Sequence, residues 1–253
     1  MSVTIVTPTP KITSYLYKNF QTASNKVSWL IVWTNPKNPP PRSLGKNIKV
    51  INYPKKYLPI NDFAFLRNWS LKQAKTKWIF FLDSDELMSQ TDWQKLIKLI
   101  QKTSPLVNGY LVKRQDVFLD KALKHGEVGN VWLVRLGRRK FMRYERVVHE
   151  IAQLEGMIKK SPLTLKHYSH KSVSSFLAKV FFYAQLEASQ RQTHQAELIL
   201  QLLFYPLAKF WLGFFFKLGF LDGTRGLVYA SCMSLHSLLV RVYQLEKNKK
   251  TKR

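Results

Sequence analysis

Residues 78–86 read WIFFLDSDE, so five large apolar residues run directly into a segment that holds three carboxylates. A run that is apolar at every position predicts a strand buried on both faces, as in a parallel sheet covered by helices on each side. Ligands of such sheets bind at the carboxyl ends of the strands. We therefore expect Asp83, Asp85 and Glu86 to lie at a ligand site.

The two aspartates of this run are candidates for holding a divalent metal. Mg²⁺ and Mn²⁺ prefer oxygen ligands and usually sit between one or two protein carboxylates and substrate phosphates. In a regular strand Asp83 and Asp85 would point to the same side, with Ser84 on the other. The alternative is that they are ordinary solvated acids at the end of a strand.

The chain as a whole is strongly basic. It has 41 Lys and Arg against 15 Asp and Glu, a formal net charge of +26, so the acidic cluster is a local reversal of sign. Such a charge favours an anionic partner, whether nucleic acid, lipid headgroups or a phosphorylated substrate. The single Cys232 excludes an internal disulfide framework and a cysteine-based zinc site. No amino-terminal signal peptide is visible, which predicts a cytoplasmic location.

Short apolar runs alternate with helical patterns in the first part of the chain. They predict strands at 3–7, 27–33, 48–51 and 78–82, and helices at 12–22, from Asn61 or Asp62 to about 74, and after a Thr91 or Asp92 cap. This order indicates an open α/β sheet of the doubly wound kind. Short, charged β-like pieces follow at 109–166, and the pattern from 172 onward is helical.

An ordered series of motifs resembles the family 2 glycosyltransferases, most closely the bacterial branch that includes lipopolysaccharide-core β-glucosyltransferases. The motifs, in chain order, are Arg67-Asn68, Ala74, Trp78, FLDSDE at 81–86, Gly109-Tyr110 with Arg114, Phe118-Leu119, His125-Gly126, Val134-Arg135-Leu136, Val148-His149-Glu150, LKHYS at 165–169 and GFLDG at 219–223. Each motif is short, but together they cover nearly the whole chain in the family's order.

This resemblance implies a GT-A fold, which is an α/β, Rossmann-like open mixed sheet with helices on both faces. It also implies inverting transfer of a sugar from a nucleotide-sugar donor, assisted by Mg²⁺ or Mn²⁺. Asp85 would ligate the metal, and Asp83 would contact the ribose or reach the metal through water. His167 resembles the late histidine that completes such a metal site. Glu86 would support these ligands or cap the next segment.

The candidate for the catalytic base is Glu150, which follows the charged central region where the family places acceptor-side chemistry. A base in this position would deprotonate the acceptor hydroxyl. The alternative for Glu150 is a structural salt bridge to Arg143 or Arg146. His149 is a second candidate, because the ordinary pKa of histidine lies near neutrality; it would otherwise orient the carboxylate.

The chain departs from the family at its first two strands. Family members usually begin with a strand ending in PTYNE and a second strand ending in an Asp that reads the nucleotide base. Here residues 7–10 read TPTP, and Thr34 or Asn35 stands where that Asp is expected. Pro8, Thr34 and Arg67 remain the candidates for donor binding. The cluster at 135–139 is a candidate for holding diphosphate or an acidic acceptor, with a solvated basic face as the alternative. These departures leave open a non-catalytic, membrane-associated protein that keeps the fold.

The predicted organisation is a catalytic domain at 1–170, a helical region on the acceptor and membrane side at 171–246, and a disordered basic tail at 247–253. Residues 198–220 are rich in Leu and Phe but contain Gln201, Pro206, Lys209 and Lys217. A spanning helix needs about 20 apolar residues with few charges. We therefore expect this segment to lie in a membrane interface, with an ordinary buried helix as the alternative.

The expected partners are a nucleotide-sugar donor, a glycolipid or glycan acceptor of the cell envelope, and an anionic membrane surface. The expected location is the cytoplasmic face of the inner membrane, as a peripheral protein. The rival class is a nucleic-acid-binding protein or a metal-dependent nuclease, because a positive charge of this size suits a phosphate backbone. A two-metal nuclease site needs a second acidic cluster, and the chain offers only the scattered Asp116, Asp120 and Glu127. We therefore expect no nucleic-acid partner.

Overall fold

The computed structural model of the chain describes residues 3–146, 150–170, 172–191 and 194–251. Its internal contacts group these residues into two units. The first comprises the chain up to Arg114 together with Trp132–His167, and the second comprises Gln115–Val131 together with the chain from Tyr168 onward. The segment Gln115–Val131 belongs to the second unit, although it lies within the catalytic domain that the sequence predicts at 1–170. That segment joins the second unit because its Leu123 and Val128 share a core with the helices there.

Strands and helices alternate in the first half of the chain, as the sequence predicts. The strands are β1 (Val3–Thr9), β2 (Val27–Trp33), β3 (Ile48–Asn52), β4 (Trp78–Phe81), β5 (Glu86–Leu87), β6 (Val107–Phe118), β7 (Lys121–Ala122), β8 (Val131–Arg138), β9 (Met142–Glu145), β10 (Ile151–Leu154) and β11 (Met157–His170). The region predicted as short pieces thus contains two long strands, β6 and β11. Their charged residues had obscured the alternating pattern that marks a strand with one exposed face.

The main sheet of the described residues has the strand order β3-β2-β1-β4-β8-β6-β11-β5. Strands β1 to β4 are parallel, with Val6 beside Phe81, whereas β8 runs antiparallel to β4, with Phe80 beside Leu136. Strand β5 pairs with β11, and β9 and β10 pair with each other outside this sheet. The open mixed sheet confirms the predicted fold class.

Three helices flank the sheet: α1 (Ser14–Thr22), α2 (Phe63–Gln73) and α3 (Gln90–Lys102). Asp62 caps α2 through a 2.8 Å hydrogen bond from the Phe65 N–H, in agreement with the sequence. The predicted cap of α3 at Thr91 or Asp92 is wrong. Ser89 is the cap. Its hydroxyl accepts from the Asp92 N–H, as cap side chains do, and it also donates to the Asp92 carboxylate.

Strand β4, which leads into the acidic segment, is buried on both faces, as its apolar composition predicts. Phe80 lies in a core with Trp93 and other residues of α3, whereas Ile79 and Phe81 lie in a second core with Leu66 of α2. Successive side chains of a strand point to opposite faces, so one strand serves both cores. This burial fixes where β4 ends and therefore where its carboxylates lie.

The second unit is built on α4 (Val173–Gln190), α5 (Gln195–Trp211) and α6 (Thr224–Thr251). Helix α6 packs against both other helices. Helix α6 continues to Thr251 and so includes most of the segment 247–253 that the sequence predicts as a basic tail. No Gly or Pro follows Gly226 in the helix, and lysines near a helix carboxyl end interact favourably with the helix dipole.

Two of the sequence motifs, His125-Gly126 and GFLDG at 219–223, meet in the second unit. Asp222 accepts hydrogen bonds from the backbone N–H groups of Lys124 (3.0 Å) and His125 (2.8 Å). The N–H of Gly126 donates to the carbonyl of Lys217 over 2.8 Å. Gly126 has a φ of 71°, a conformation that favours glycine. The two motifs therefore hold the turn before α6 in place.

Close packing beside this turn requires glycine at position 226. A Cβ atom there would overlap the carbonyl oxygen of Gly219. We expect Gly226→Ala to lower the free energy of unfolding by about 1–3 kcal/mol, the usual cost of overpacking. Chemical denaturation of the full chain measures this cost. Ser231→Ala, at an exposed position of the same helix, should change stability by less than about 0.5 kcal/mol; equal stability of the two variants would contradict the packing argument.

One helical segment in the described part of the chain, Glu197–Phe216, is long and apolar enough to cross a membrane, with a mean hydropathy of 1.6. Length and composition alone are weak evidence for a span, because buried helices of soluble proteins share them. Here only 11% of the apolar window is buried. The alternative of an ordinary buried helix therefore does not describe this segment.

Candidate active site at the end of strand β4

The acidic segment after β4 forms a turn. Strand β4 ends at Phe81, and the N–H of Glu86 donates to the carbonyl of Asp83 over 3.0 Å. The expectation that Asp83 and Asp85 point the same way is therefore wrong, because a turn at Ser84 and Asp85 replaces the regular strand. The two carboxylates have different partners and, we infer, different roles.

Asp83 is held by two buried arginines. Its Oδ1 accepts from Nη2 of Arg67 over 2.9 Å, and its Oδ2 accepts from Nη2 of Arg135 over 2.6 Å. The same nitrogen of Arg135 lies 2.6 Å from Oε1 of Glu86, whose side chain is fully buried. The second oxygen of Glu86 accepts from the N–H of Asp83 over 2.9 Å. Glu86 is thus the buried anchor of the turn.

The charges of this cluster stabilise one another. Burial alone would raise the pKa of Asp83, but the charges of Arg135 and Arg67 hold that pKa well below its usual value. Burial raises the pKa of Glu86, and the charge of Arg135 offsets that rise only in part. Burial would lower the pKa of each arginine, but Asp83 raises both, so the guanidinium groups keep their charge.

Arg67 also joins this cluster to Glu150. Its Nε donates to Oε1 of Glu150 over 2.9 Å, and the Glu150 side chain keeps 21% of its exposure. Of the described residues, the partner of Glu150 is therefore Arg67 and not Arg143 or Arg146; Arg143 pairs with Glu145 at 2.6 Å. His149 lies outside the described residues. A single guanidinium thus connects the acidic turn to the candidate base.

Two aromatic rings and an amide position Arg67. Its guanidinium lies 5.3 Å from the ring centre of Phe81 and 5.4 Å from that of Tyr144. The side chain of Asn68, the next residue of α2, exchanges two 2.8 Å hydrogen bonds with the backbone of Tyr144. Burial raises the pKa of Tyr144 to about 12, so its hydroxyl stays protonated at neutral pH.

Asp85 lies on the other side of the turn, beside His167. Strand β11 places His167 next to Glu86, and Nε2 of His167 is 3.6 Å from Oδ2 of Asp85. The buried side chain of Asn19 supports this edge, because it donates to the Glu86 carbonyl over 2.8 Å and accepts from the Met88 N–H over 3.0 Å. The hydroxyl of Thr13 donates to the Ser84 carbonyl.

The protein side chains present suit a metal ion whose remaining ligands come from a substrate and from water. Among the described residues, no group of three His, Cys, Asp or Glu side chains gathers to hold a metal alone. Asp85 and His167 do lie together, and Mg²⁺ or Mn²⁺ commonly takes one or two protein ligands and completes its shell with phosphate oxygens and water. Both oxygens of Asp83 are already bound by arginine, so its direct ligation stays a prediction.

Three buried polar atoms of the cluster have no hydrogen-bond partner among the described residues. They are Nη1 of Arg67, Nε of Arg135 and the hydroxyl of Tyr144. Leaving a buried donor unpaired costs about 1–3 kcal/mol. Two donors of this kind beside the acidic turn fit a site that receives a ligand with hydrogen-bond-accepting oxygen atoms.

The candidate nucleotide-binding residues lie at the same edge of the sheet. Pro8 pairs with Val32 near the carboxyl end of β1, which is parallel to β4. Thr34 is buried after β2, and its N–H donates to the Thr9 carbonyl over 3.0 Å. Thr34 thus lies at the same edge of the sheet as the acidic turn, and its role in base recognition stays a prediction.

The predicted cationic cluster at 135–139 divides between two roles. Arg135 belongs to the site. Arg138 donates to the carbonyls of Val107 (2.9 Å) and Ser104 (3.2 Å) and stacks 5.0 Å from the ring centre of Trp78, so its role is structural. Sequence reasoning missed Tyr144 and Asn19 as parts of the site, since neither stands in a motif.

The model of the family described as glycosyl transferase family 2 matches residues 45–163, the segment that carries the acidic turn, both arginines and Glu150. A comparison with curated protein sequences found no significant match.

Several solved structures are similar to the chain at low sequence identity. TarS 1-349 of S. aureus has 12% identity and a TM-score of 0.47, with 99% of this chain and 92% of that chain covered. The chain spans 45% of the longer TarS structure, at 14% identity and a TM-score of 0.44. Glucosyl-3-phosphoglycerate synthase of Mycobacterium tuberculosis, in complex with Mn²⁺, UDP and phosphoglyceric acid, has 13% identity and a TM-score of 0.33, with 46% of this chain and 43% of that chain covered.

The family match covers the acidic turn, Arg67, Arg135 and Glu150, and the sheet that carries them is open and mixed. Residues 45–163 therefore match the family 2 glycosyltransferase model, and the chain has a GT-A-like fold with an open mixed sheet.

Proposed function

We propose that this protein is a metal-assisted, inverting glycosyltransferase that moves a sugar from a nucleotide-sugar donor to a glycan or glycolipid of the bacterial cell envelope. The observation that carries the proposal is the bridge through Arg67, which binds Asp83 and Glu150 at once over 2.9 Å each. One buried cation thus binds both the proposed donor-side carboxylate and the proposed base.

On the donor side, Asp85 and His167 are the residues that would hold the metal. A divalent ion there would neutralise charge on the departing diphosphate. Arg67 and Arg135 lie behind the turn and are paired with Asp83, Glu86 and Glu150, and we propose that their remaining N–H groups donate to oxygen atoms of the donor. Pro8 and Thr34 are proposed to contact the nucleoside, and Asp83 to contact the ribose or to reach the metal through water.

On the acceptor side, Glu150 is the proposed base. It takes the proton of the acceptor hydroxyl while the hydroxyl oxygen bonds to the anomeric carbon and the bond from that carbon to the donor phosphate breaks. The nucleoside diphosphate leaves with the bonding electrons, and one displacement inverts the anomeric centre. The hydrogen bond from Arg67 holds the carboxylate of Glu150 in one orientation.

The proposed acceptor belongs to the lipopolysaccharide core or a related envelope glycan, and the proposed location is the cytoplasmic face of the inner membrane. The resemblance to the lipopolysaccharide-core branch supports the acceptor class. The exposed apolar helix Glu197–Phe216 and the net charge of +26 support the location.

We expect Glu150→Gln to lower the rate of sugar transfer by about 10²- to 10³-fold, because the amide cannot accept the acceptor's proton. Donor binding should persist, since the acidic turn and His167 are unchanged. Transfer to an envelope glycan preparation and donor-induced thermal stabilisation measure the two properties separately.

Glu155→Gln is the matched control, because Glu155 is an exposed glutamate of the same region. It should keep full activity. A Glu150→Gln enzyme that turns over at the rate of the Glu155→Gln control would show that the base lies elsewhere.

The donor is best identified by a thermal-shift screen of UDP-, GDP-, ADP- and TDP-sugars with and without Mn²⁺. A ligand that binds only the folded state raises its stability, by about 2.7 kcal/mol at a concentration of 100 times the Kd. We expect one nucleotide class to stabilise the protein, and to do so more strongly with Mn²⁺. Stabilisation by none of the four would contradict the proposed donor site.

A further inference from the structure

Helix α5 and the π-helical turn that follows it, Leu212–Phe216, carry an apolar stripe on the second unit. We call this stripe the α5 surface. Its large side chains are exposed by 40% at Phe215 to 77% at Phe216, and most of them recur at three- or four-residue spacing, so most share one side of the helix. Ile199, Tyr205 and Leu212 are exposed by 45–48% outside this stripe. The members are Leu200, Leu203, Phe204, Leu207, Trp211, Phe215 and Phe216. Contiguous exposed apolar patches of this kind mark interaction sites.

The opposite side of α5 is fixed to its own unit. Leu198 is fully buried, and the carbonyl of Pro206 accepts a 2.7 Å hydrogen bond from the hydroxyl of Ser234 in α6. Nζ of Lys209 lies 2.9 Å from Oε1 of Glu127, a residue of the same unit. Helix α5 is therefore held along its length with the α5 surface facing outward. A helix that crossed a bilayer would have to break these contacts.

The composition of this segment suits the boundary between lipid headgroups and acyl chains. Residues 198–221 contain two lysines and no acidic residue. Trp and Phe beside lysines are typical of interfacial helices, because the rings enter the boundary while the long lysine stems keep their charges in water. Lys217 directly follows Phe216, the most exposed member of the surface, and is itself exposed.

We propose that the α5 surface binds the interface of an anionic phospholipid bilayer, with α5 lying in the plane of the membrane. Charge selects this occupant over a second copy of the chain. A protein of net charge +26 repels its own copies and is attracted to anionic lipid. The inference deepens the proposed function, because a glycolipid acceptor would be met at this membrane.

The test is flotation of the purified full chain with vesicles of phosphatidylcholine alone, or of phosphatidylcholine with phosphatidylglycerol. We expect binding to the mixed vesicles. Phe204→Ser with Phe216→Ser should weaken that binding by about tenfold or more, because two exposed rings lose their insertion. The control pair is Tyr17→Ser with Leu106→Ser, which removes side chains of similar exposure (55% and 73%) from the first unit; it should bind as the unchanged chain does.

Three results would overturn the proposal. The first is equal binding by both double variants that disappears in 1 M NaCl, which would show attraction by charge alone. The second is an oligomer, in the absence of vesicle binding, that Phe204→Ser with Phe216→Ser dissociates, which would assign the surface to a second copy. The third is vesicle-bound protein that resists alkaline extraction, which would show a spanning helix. The assay contains no donor or metal, so its failure leaves the proposed transfer reaction separately testable.

Discussion

Replacement of Asp85 by alanine is expected to reduce sugar transfer by at least about a thousandfold while leaving the fold intact. Stabilisation of transition-state charge by a metal contributes several kcal/mol, and each 1.36 kcal/mol is a tenfold change in rate. Asp85 lies in the turn with its side chain 35% exposed, beside His167 at 3.6 Å. Its loss removes the proposed metal ligand without leaving a fully buried charge unpaired.

The measurement combines the transfer rate with donor-induced thermal stabilisation in the presence and absence of Mn²⁺. In Asp85→Ala the increment that depends on Mn²⁺ should vanish, whereas the melting temperature of the free protein should stay within a few degrees. Ser84→Ala, one residue earlier in the same turn, is the control and should keep both properties. An Asp85→Ala protein with the activity of the Ser84→Ala control would remove Asp85 from the metal site.

The sequence located the acidic site because two local patterns coincide there. An apolar run at 78–82 predicts a doubly buried strand, and carboxylates at its end are noticeable in a chain with few acids. Helix α2 and its Asp62 cap were predictable for the same reason, since caps and helical periodicity are properties of neighbouring residues.

The partners of these carboxylates were not predictable, because they come from distant parts of the chain. Arg135 is 52 residues from Asp83, and Arg67 is 83 residues from Glu150. The sequence singled out both arginines as anion binders, but only the sheet order brings them to one carboxylate. Glu86 was equally ambiguous, because an acid in a turn gives no sign that tertiary packing will bury it completely.

The long strands were missed for a different reason. The pattern in β6 and β11 is interrupted by lysine and arginine, so periodicity failed where the strands run through a charged region. The start of α3 shows the same limit on a smaller scale. Ser89, Thr91 and Asp92 are all good capping residues, and the mutual hydrogen bonds of Ser89 and Asp92 decide which one begins the helix.

Arg135→Met is expected to cause the largest loss of stability in the first unit, about 3–5 kcal/mol. The guanidinium of Arg135 is bound to Asp83 and Glu86 at 2.6 Å each. Methionine fills much of the same space but leaves Glu86, which has no exposed surface, without its cation. Arg67 still holds Asp83, so most of the loss should come from Glu86.

Arg138→Met separates this effect from the general cost of removing a buried arginine. Arg138 lies on the same strand β8 and is similarly buried, but it donates hydrogen bonds to the neutral carbonyl groups of Val107 and Ser104. We expect it to cost about 1–3 kcal/mol, the penalty for lost hydrogen bonds. Adding Glu86→Gln to Arg135→Met should recover part of the stability, because the uncompensated charge is then gone. Urea denaturation of the four proteins gives these differences; equal losses in Arg135→Met and Arg138→Met, with no recovery in the double variant, would show that the ion cluster does not govern the stability of the site.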